Sequence, residues 1–132
     1  MIIVDTSVLI NLFKGLATPA TTKLKELEHS GALIVIPAIC CQELLQGAKD
    51  EKEWALLNHY LASQELLYPK SEYKTYEFAA KLFYDLRKKG ITVRSTIDCL
   101  IAQQVIETKH GKLLHDDKDF MFIAKNTSLQ CF

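Results

Sequence analysis

The sequence predicts an α/β fold of three layers, in which helices cover both faces of a central parallel sheet. Short apolar runs alternate along the chain with longer amphipathic segments, and Gly or Pro marks many of their boundaries. The length of 132 residues suits one domain spanning residues 1–132. A hydrophobic share of 48% with 24% charged residues is typical of a globular protein, which excludes a disordered chain.

Five runs of residues predict the strands. Residues 1–4 and 33–36 are wholly apolar and rich in β-branched side chains, which is typical of strands buried on both faces. A weaker signal marks the third run. The predicted strands span residues 1–4, 33–36, 66–68, 112–115 and 128–131.

Amphipathic periodicity and capping residues predict the helices. Asp5, Thr6 and Ser7 offer capping side chains to a first helix that ends at Gly15, and Pro37 suits the start of the third. Asp116 is a candidate N-cap for the last helix. The predicted helices span residues 8–14, 19–30, 37–46, 52–63, 72–89, 96–109 and 117–125.

Charge and cysteine content narrow the function classes. Sixteen basic and sixteen acidic residues cancel, so binding to nucleic acid would depend on where the cations lie. The apolar runs at the N-terminus and at residues 32–41 fit neither a signal peptide nor a membrane span. The cysteines lack CxxC or zinc-finger spacing, which predicts reduced thiols and a cytoplasmic protein: Cys40, Cys41, Cys99 and Cys131.

Carboxylates follow two of the predicted strands directly. Asp5 comes after the first strand, and Asp116, Asp117 and Asp119 come after the fourth. Ligands of parallel α/β sheets bind beyond the carboxyl ends of the strands. These acids are therefore expected at the edge of the sheet where a ligand would bind.

Two further acids lie on predicted helices. Asp98 shares a helical stripe with Ile101, Ala102 and Val105, which turns it inward near the start of its helix. Glu43 lies at the edge of the apolar face of its predicted helix. An inward-facing carboxylate needs a partner, because desolvating it alone is costly.

The predicted helices supply few cations beside Asp98 and Glu43. Two carboxylates about 5 Å apart repel by roughly 3 kcal/mol at an effective dielectric near 20. Several such pairs would exceed the stability margin of a domain, about 5–15 kcal/mol, unless protons or a divalent cation intervened. Oxygen ligands favour Mg²⁺ or Mn²⁺. Such a centre is typical of phosphodiester hydrolysis.

Four segments that contain these acids resemble, in order, the four acidic motifs of PIN domains: IIVDTSVLINL, PAICCQELLQGA, STIDCLIAQ and LLHDDKDFMFIA. They span nearly the whole chain, and its length is similar to that of a VapC toxin. The resemblance implies a Mg²⁺-dependent endoribonuclease that cleaves structured RNA, such as transfer or ribosomal RNA. It also implies inhibition by a VapB antitoxin and assembly as a homodimer.

The resemblance assigns roles by position. Asp5 and Asp98 would be the principal metal ligands, and Glu43 and Asp117 would complete the site. Thr6 would hydrogen-bond within it, and Asp119 would be an accessory acid. The last motif usually has a neutral residue where Asp116 stands, which leaves open whether Asp116, Asp117 or Asp119 approaches the metal; the following Lys118-Asp119-Phe120 favours Asp117.

Other interpretations compete with this one. Arg94 and Lys118 are candidate RNA contacts, although surface cations are usually only solvated. A phosphotransferase with Asp5 as its nucleophile is disfavoured, because one such family needs a second Asp where Ser7 stands. A catalytically silent PIN-like module that binds RNA or a protein is the main alternative. A nuclease acting on DNA also remains open.

Overall fold

Four short strands form one parallel sheet, and seven helices flank it. The computed structural model describes residues 1–132. The elements in chain order are β1 (Ile2–Val4), α1 (Thr6–Phe13), α2 (Pro19–His29), β2 (Ile34–Pro37), α3 (Ala38–Gln46), α4 (Glu51–Ala62), β3 (Glu65–Leu67), α5 (Lys74–Lys88), α6 (Thr96–Glu107), β4 (Lys112–Leu114) and α7 (Lys118–Asn126). The predicted α/β/α architecture with a central parallel sheet is confirmed.

The strand order places β1 in the interior of the sheet. The order is β3-β2-β1-β4, and Ile3 of β1 pairs with Val35 of β2 and Leu113 of β4. An interior strand covered on both faces must be apolar throughout, and Ile3 and Val4 are fully buried. Because β1 and β4 are parallel neighbours, the residues that follow them emerge side by side at one edge.

Side-chain caps fix where several helices begin. Asp5 accepts a hydrogen bond from the backbone of Ser7 at the start of α1, and Thr18 forms a reciprocal capping box with Thr21 before α2. Ser95 caps α6. Asp117 caps α7, so the interpretation of Asp116 as that cap was wrong.

The prediction of a last strand at residues 128–131 was also wrong. That segment forms a single parallel bridge, between Cys131 and Leu113. The backbone N–H of Leu113 donates to Gln130 at 2.9 Å, and that of Phe132 donates to Leu113 at 3.0 Å. The backbone N–H of Leu129 donates instead to the Thr127 hydroxyl at 3.2 Å, which removes it from pairing with β4.

Helix α5 begins two residues later than predicted. Ser71 accepts a hydrogen bond from the backbone N–H of Lys74 at 3.1 Å, so residues 71–73 form a turn that precedes the helix. Helix α6 packs against α5 with its inward stripe buried, including Ile101, Ala102 and Val105. None of the helices combines the length and the apolar character needed to cross a bilayer.

Candidate metal centre

Asp5 lies at the carboxyl end of β1 and is held there by Ser7. Its Oδ2 accepts hydrogen bonds from the Ser7 backbone N–H at 2.9 Å and from the Ser7 hydroxyl at 2.5 Å. The backbone N–H of Asp5 donates to Leu114 of β4 at 3.0 Å. Asp5 is only 5% exposed, and this burial raises the pKa of its carboxyl group although the Ser7 hydrogen bonds oppose the shift.

Thr6 joins the start of α1 to Glu43 of α3. The buried Thr6 hydroxyl donates to Glu43 Oε1 at 2.8 Å. Partial burial raises the pKa of Glu43, the Thr6 hydrogen bond lowers it, and the nearby Asp5 raises it. Glu43 Oε2 accepts no hydrogen bond from the protein, so that oxygen remains available to a ligand.

Asp98 lies in the first turn of α6, where burial and four other carboxylates raise its pKa. Burial raises the pKa of its carboxyl group to about 7, and Asp5, Asp117, Asp119 and Glu43 add to the shift in that order. No protein donor hydrogen-bonds to this carboxylate. A cation that contacted Asp98 would therefore favour its ionised form.

Three carboxylates converge most closely at this edge. One oxygen each of Asp98, Asp117 and Asp119 lies within 4.8 Å of the other two. Asp117 is the N-cap of α7, where its Oδ1 accepts the backbone N–H of Asp119 at 3.0 Å. Asp5 and Glu43 are outside this close group, but both raise the pKa of Asp98.

Arg94 is the one basic side chain that forms an ion pair with these acids. Its Nε lies 3.1 Å from Asp119 Oδ2, and its Nη2 lies 3.3 Å from Asp117 Oδ1. The expectation of few cations beside Asp98 and Glu43 is met, since neither forms an ion pair, whereas Asp117 and Asp119 share Arg94. Lys118 is exposed and forms no ion pair within the chain.

Asp116 is held on the opposite side of its strand end. Its Oδ2 accepts hydrogen bonds from Asn11 Nδ2 at 2.9 Å and from the Thr18 hydroxyl at 2.7 Å. Its backbone N–H donates to the Ser7 hydroxyl at 3.0 Å. The side chain of Asp116 thus ties α1 and the cap of α2 to the end of β4, whereas Asp117 faces Asp98.

The donor set fits a hard divalent cation. Oxygens within 4.8 Å of one another can share one ion, because bonds to Mg²⁺ or Ca²⁺ are about 2.0–2.6 Å long. The four cysteines do not join the carboxylates in this group, so a soft metal has no thiolate ligand there. Burial and then four neighbouring carboxylates raise the pKa of Asp98, and a bound cation would oppose both effects.

Known proteins resemble this chain over nearly its whole length. The model of the PIN-domain family matches residues 2–126. The chain belongs to the PIN-domain family. It is 32% identical to VapC ribonuclease Mb1587 of Mycobacterium bovis and to ribonuclease VapC11 of Mycobacterium tuberculosis, in each case over 98% of this chain and 96% of the relative.

Solved structures confirm the PIN-domain fold. VapBC2 from Rickettsia felis, bound to a DNA fragment from its promoter, superposes with a TM-score of 0.77 at 20% identity and covers 100% of this chain and 98% of that one. VapBC-1 from nontypeable Haemophilus influenzae gives a TM-score of 0.76 at 23% identity, with coverages of 100% and 97%.

Sequence reasoning missed several residues that organise this PIN domain. Ser7 was read only as a capping residue, yet its hydroxyl links Asp5 to the backbone of Asp116. Its position two residues after Asp5 was the available signal. Asn11 and Thr18 gave no signal, because their contact with Asp116 joins residues about a hundred positions apart.

Proposed function

We propose that this PIN domain is a metal-dependent endoribonuclease and the toxin of a toxin–antitoxin pair. The observation that carries the proposal is the convergence of Asp98, Asp117 and Asp119 beside Asp5, at the edge of the sheet where ligands bind. The similarity to VapC ribonucleases over nearly the whole chain supports the reaction.

Asp5, Asp98 and Asp117 would hold Mg²⁺, or Mn²⁺ in its place, and Glu43 would complete the site. Bound Mg²⁺ supplies a water of lowered pKa and neutralises negative charge on a phosphate. Ser7 keeps Asp5 in one orientation, and Thr6 does the same for Glu43. The free Oε2 of Glu43 is placed to accept a proton from an attacking water.

The proposed substrate is RNA, in particular structured RNA such as transfer or ribosomal RNA. With no net charge, the chain must bind phosphates through local cations. Lys118 and Arg94 are exposed at the rim of the acidic cluster, which supports a role for both in phosphate binding. The cysteines are all unpaired, as expected in the reducing cytoplasm.

An antitoxin of the VapB type is the proposed partner, in keeping with the VapBC complexes among the structural neighbours. A groove of about 1000 Å³ runs from Glu43 between α1, α3 and α4. Apolar side chains including Ile10 and Leu56 line it, and both are exposed in this chain. An antitoxin segment seated in this groove would end beside Glu43.

A homodimer is also proposed. Aromatic side chains on and beside α5 remain exposed, namely Tyr73, Tyr76, Phe78 and Tyr84. Apolar area of this kind is commonly covered in assemblies.

Cleavage of RNA by the purified chain tests the proposal. Transfer RNA incubated with Mg²⁺ or Mn²⁺ should be cut, and Asp5→Asn or Asp98→Asn should abolish cutting while the circular dichroism spectrum stays unchanged. Asp85→Asn is the matched control, because Asp85 pairs with Lys81 on the surface of α5. Undiminished cutting by both site variants, or cutting in excess EDTA, would refute the assignment.

The same purified protein distinguishes a ribonuclease from the other proposed function classes. Binding of RNA without cutting, at any metal concentration, would favour the catalytically silent module, and cutting of DNA alone would favour a deoxyribonuclease. The toxin role is tested in cells: expression should arrest growth, and co-expression of the neighbouring open reading frame should relieve the arrest.

A further inference from the structure

Arg94 lies between α5 and α6 and reaches across to the start of α7. Its guanidinium spans two acids, with Nε 3.1 Å from Asp119 Oδ2 and Nη2 3.3 Å from Asp117 Oδ1. Its backbone N–H also points to Asp119 Oδ2, at 3.4 Å. The other ion pairs of the chain join neighbouring residues on helix surfaces, so this contact alone connects a cation to the proposed metal site.

The ion pair engages one oxygen of each acid and leaves the other oxygen free. The Asp119 side chain is 6% exposed, and a buried carboxylate without a metal requires such a partner. Asp117 Oδ1 accepts both Arg94 and the backbone N–H of Asp119, whereas its Oδ2 has no partner in the protein. The Asp98 carboxylate also has none. Asp119 Oδ2 accepts the Arg94 Nε and backbone N–H, whereas its Oδ1 has no partner in the protein. Each of the two acids thus keeps one oxygen free for a metal, beside the free carboxylate of Asp98.

We propose that Arg94 is a built-in counter-cation that competes with the divalent metal at Asp117 and Asp119 and so weakens metal binding. This inference rests on the proposed function, since it assumes that the site takes Mg²⁺ or Mn²⁺. Arg94 occupies one oxygen of each acid and adds a positive charge beside a site for a doubly charged ion. Both effects oppose binding.

Solvent screening limits how strongly Arg94 can weaken metal binding. The Arg94 side chain is 66% exposed, so its charge is screened and its head group is free to turn away from the acids. Removing it is therefore expected to tighten metal binding by about 2–5-fold, as for an exposed charge pair of up to about 1 kcal/mol. When turned away, the guanidinium is available to a phosphate of the substrate.

Titration with Mn²⁺ alone, followed by calorimetry and by the electron paramagnetic resonance signal of free Mn²⁺, tests the proposal without RNA. Arg94→Gln should bind Mn²⁺ about 2–5-fold more tightly than the unaltered chain. Arg94→Lys should fall between the two, because an ammonium keeps the charge but cannot span both acids. Arg87→Gln is the matched control: Arg87 is exposed on α5, lies over the ring of Phe83 and should leave the affinity unchanged.

Equal or weaker Mn²⁺ binding by Arg94→Gln would overturn the competition and identify Arg94 as a residue that merely orients the acids. If Arg94→Gln does not fold, an unchanged affinity in Arg94→Lys overturns it equally. Failure of every protein to bind Mn²⁺, the unaltered chain included, would overturn the proposed function together with this inference. Tight binding that is identical in all variants would overturn the inference alone.

Discussion

Replacing Asp98 with Asn is expected to stabilise the metal-free protein at pH 8. The pKa of this carboxyl group rises from 3.8 to about 7 on folding, chiefly through burial and then through Asp5, Asp117 and Asp119. The folded chain therefore binds the Asp98 proton more tightly than the unfolded chain does. Its free energy of unfolding falls as the pH rises between about 4 and 7, and the loss is complete at pH 8.

The magnitude follows from the size of the shift. About three pH units correspond to roughly 4 kcal/mol, at about 1.36 kcal/mol per unit. Asp98 is only half-buried, so solvent screening reduces this to about 1–2 kcal/mol. Asn has nearly the same shape without the charge, so Asp98→Asn should recover that amount at pH 8, less than half of it at pH 5 and almost none at pH 3, below both pKa values.

Urea denaturation followed by circular dichroism in EDTA measures the effect. The quantity to compare is the difference between variant and unaltered chain at each pH. Burial lowers the pKa of His115, which reduces the stability of both proteins as the pH falls, and this contribution cancels in the difference. Asp85→Asn, on the exposed face of α5, should show no such pH dependence.

Bound metal should reverse the order of stability of the two proteins. With Mn²⁺ at pH 8 the unaltered chain should gain more stability than Asp98→Asn, because bound ligand stabilises only the folded state that holds it. The reasoning would be refuted if Asp98→Asn were no more stable than the unaltered chain in EDTA at pH 8, or if the same difference persisted at pH 5.

Two further substitutions separate the roles of neighbouring residues. Thr6→Val removes the donor to Glu43 and should lower the free energy of unfolding by about 1 kcal/mol in urea denaturation, whereas Thr6→Ser should keep it; equal losses in both would show that the methyl group matters instead. Asp116→Asn should lose about 1 kcal/mol by weakening its contacts with Asn11 and Thr18, yet keep its Mn²⁺ affinity in calorimetry; a large fall in that affinity would make Asp116 a ligand.

Local sequence signals were sufficient to predict the sheet and most helices. The run at residues 1–4 is wholly apolar because β1 is an interior strand, and the polar residues that follow it both cap α1 and enter the site. The third strand was found from three residues alone, and it pairs with β2 as a parallel sheet requires. The segment at residues 128–131 has a similar pattern, but the backbone N–H of Leu129 donates to the Thr127 hydroxyl instead of to β4.

The site was predicted where a strand end or a helical stripe fixed a side chain. Asp5 directly follows β1, and Asp98 lies on the inward stripe in the first turn of α6. Arg94 is four residues before Asp98, but it precedes the helix and reaches α7 instead. The separate environments of Asp116 and Asp117 depend on side-chain contacts between distant segments, which local patterns do not encode.

The central claim is that carboxylates from distant segments form one site for a hard divalent ion. A crystal of the chain grown with Mn²⁺ tests it directly through the anomalous scattering of the ion. The account predicts a peak bonded to carboxylate oxygens of Asp98 and Asp117, with Asp5 beside it. Ordered side chains at these positions with no peak among them, at a Mn²⁺ concentration that supports cleavage, would contradict it.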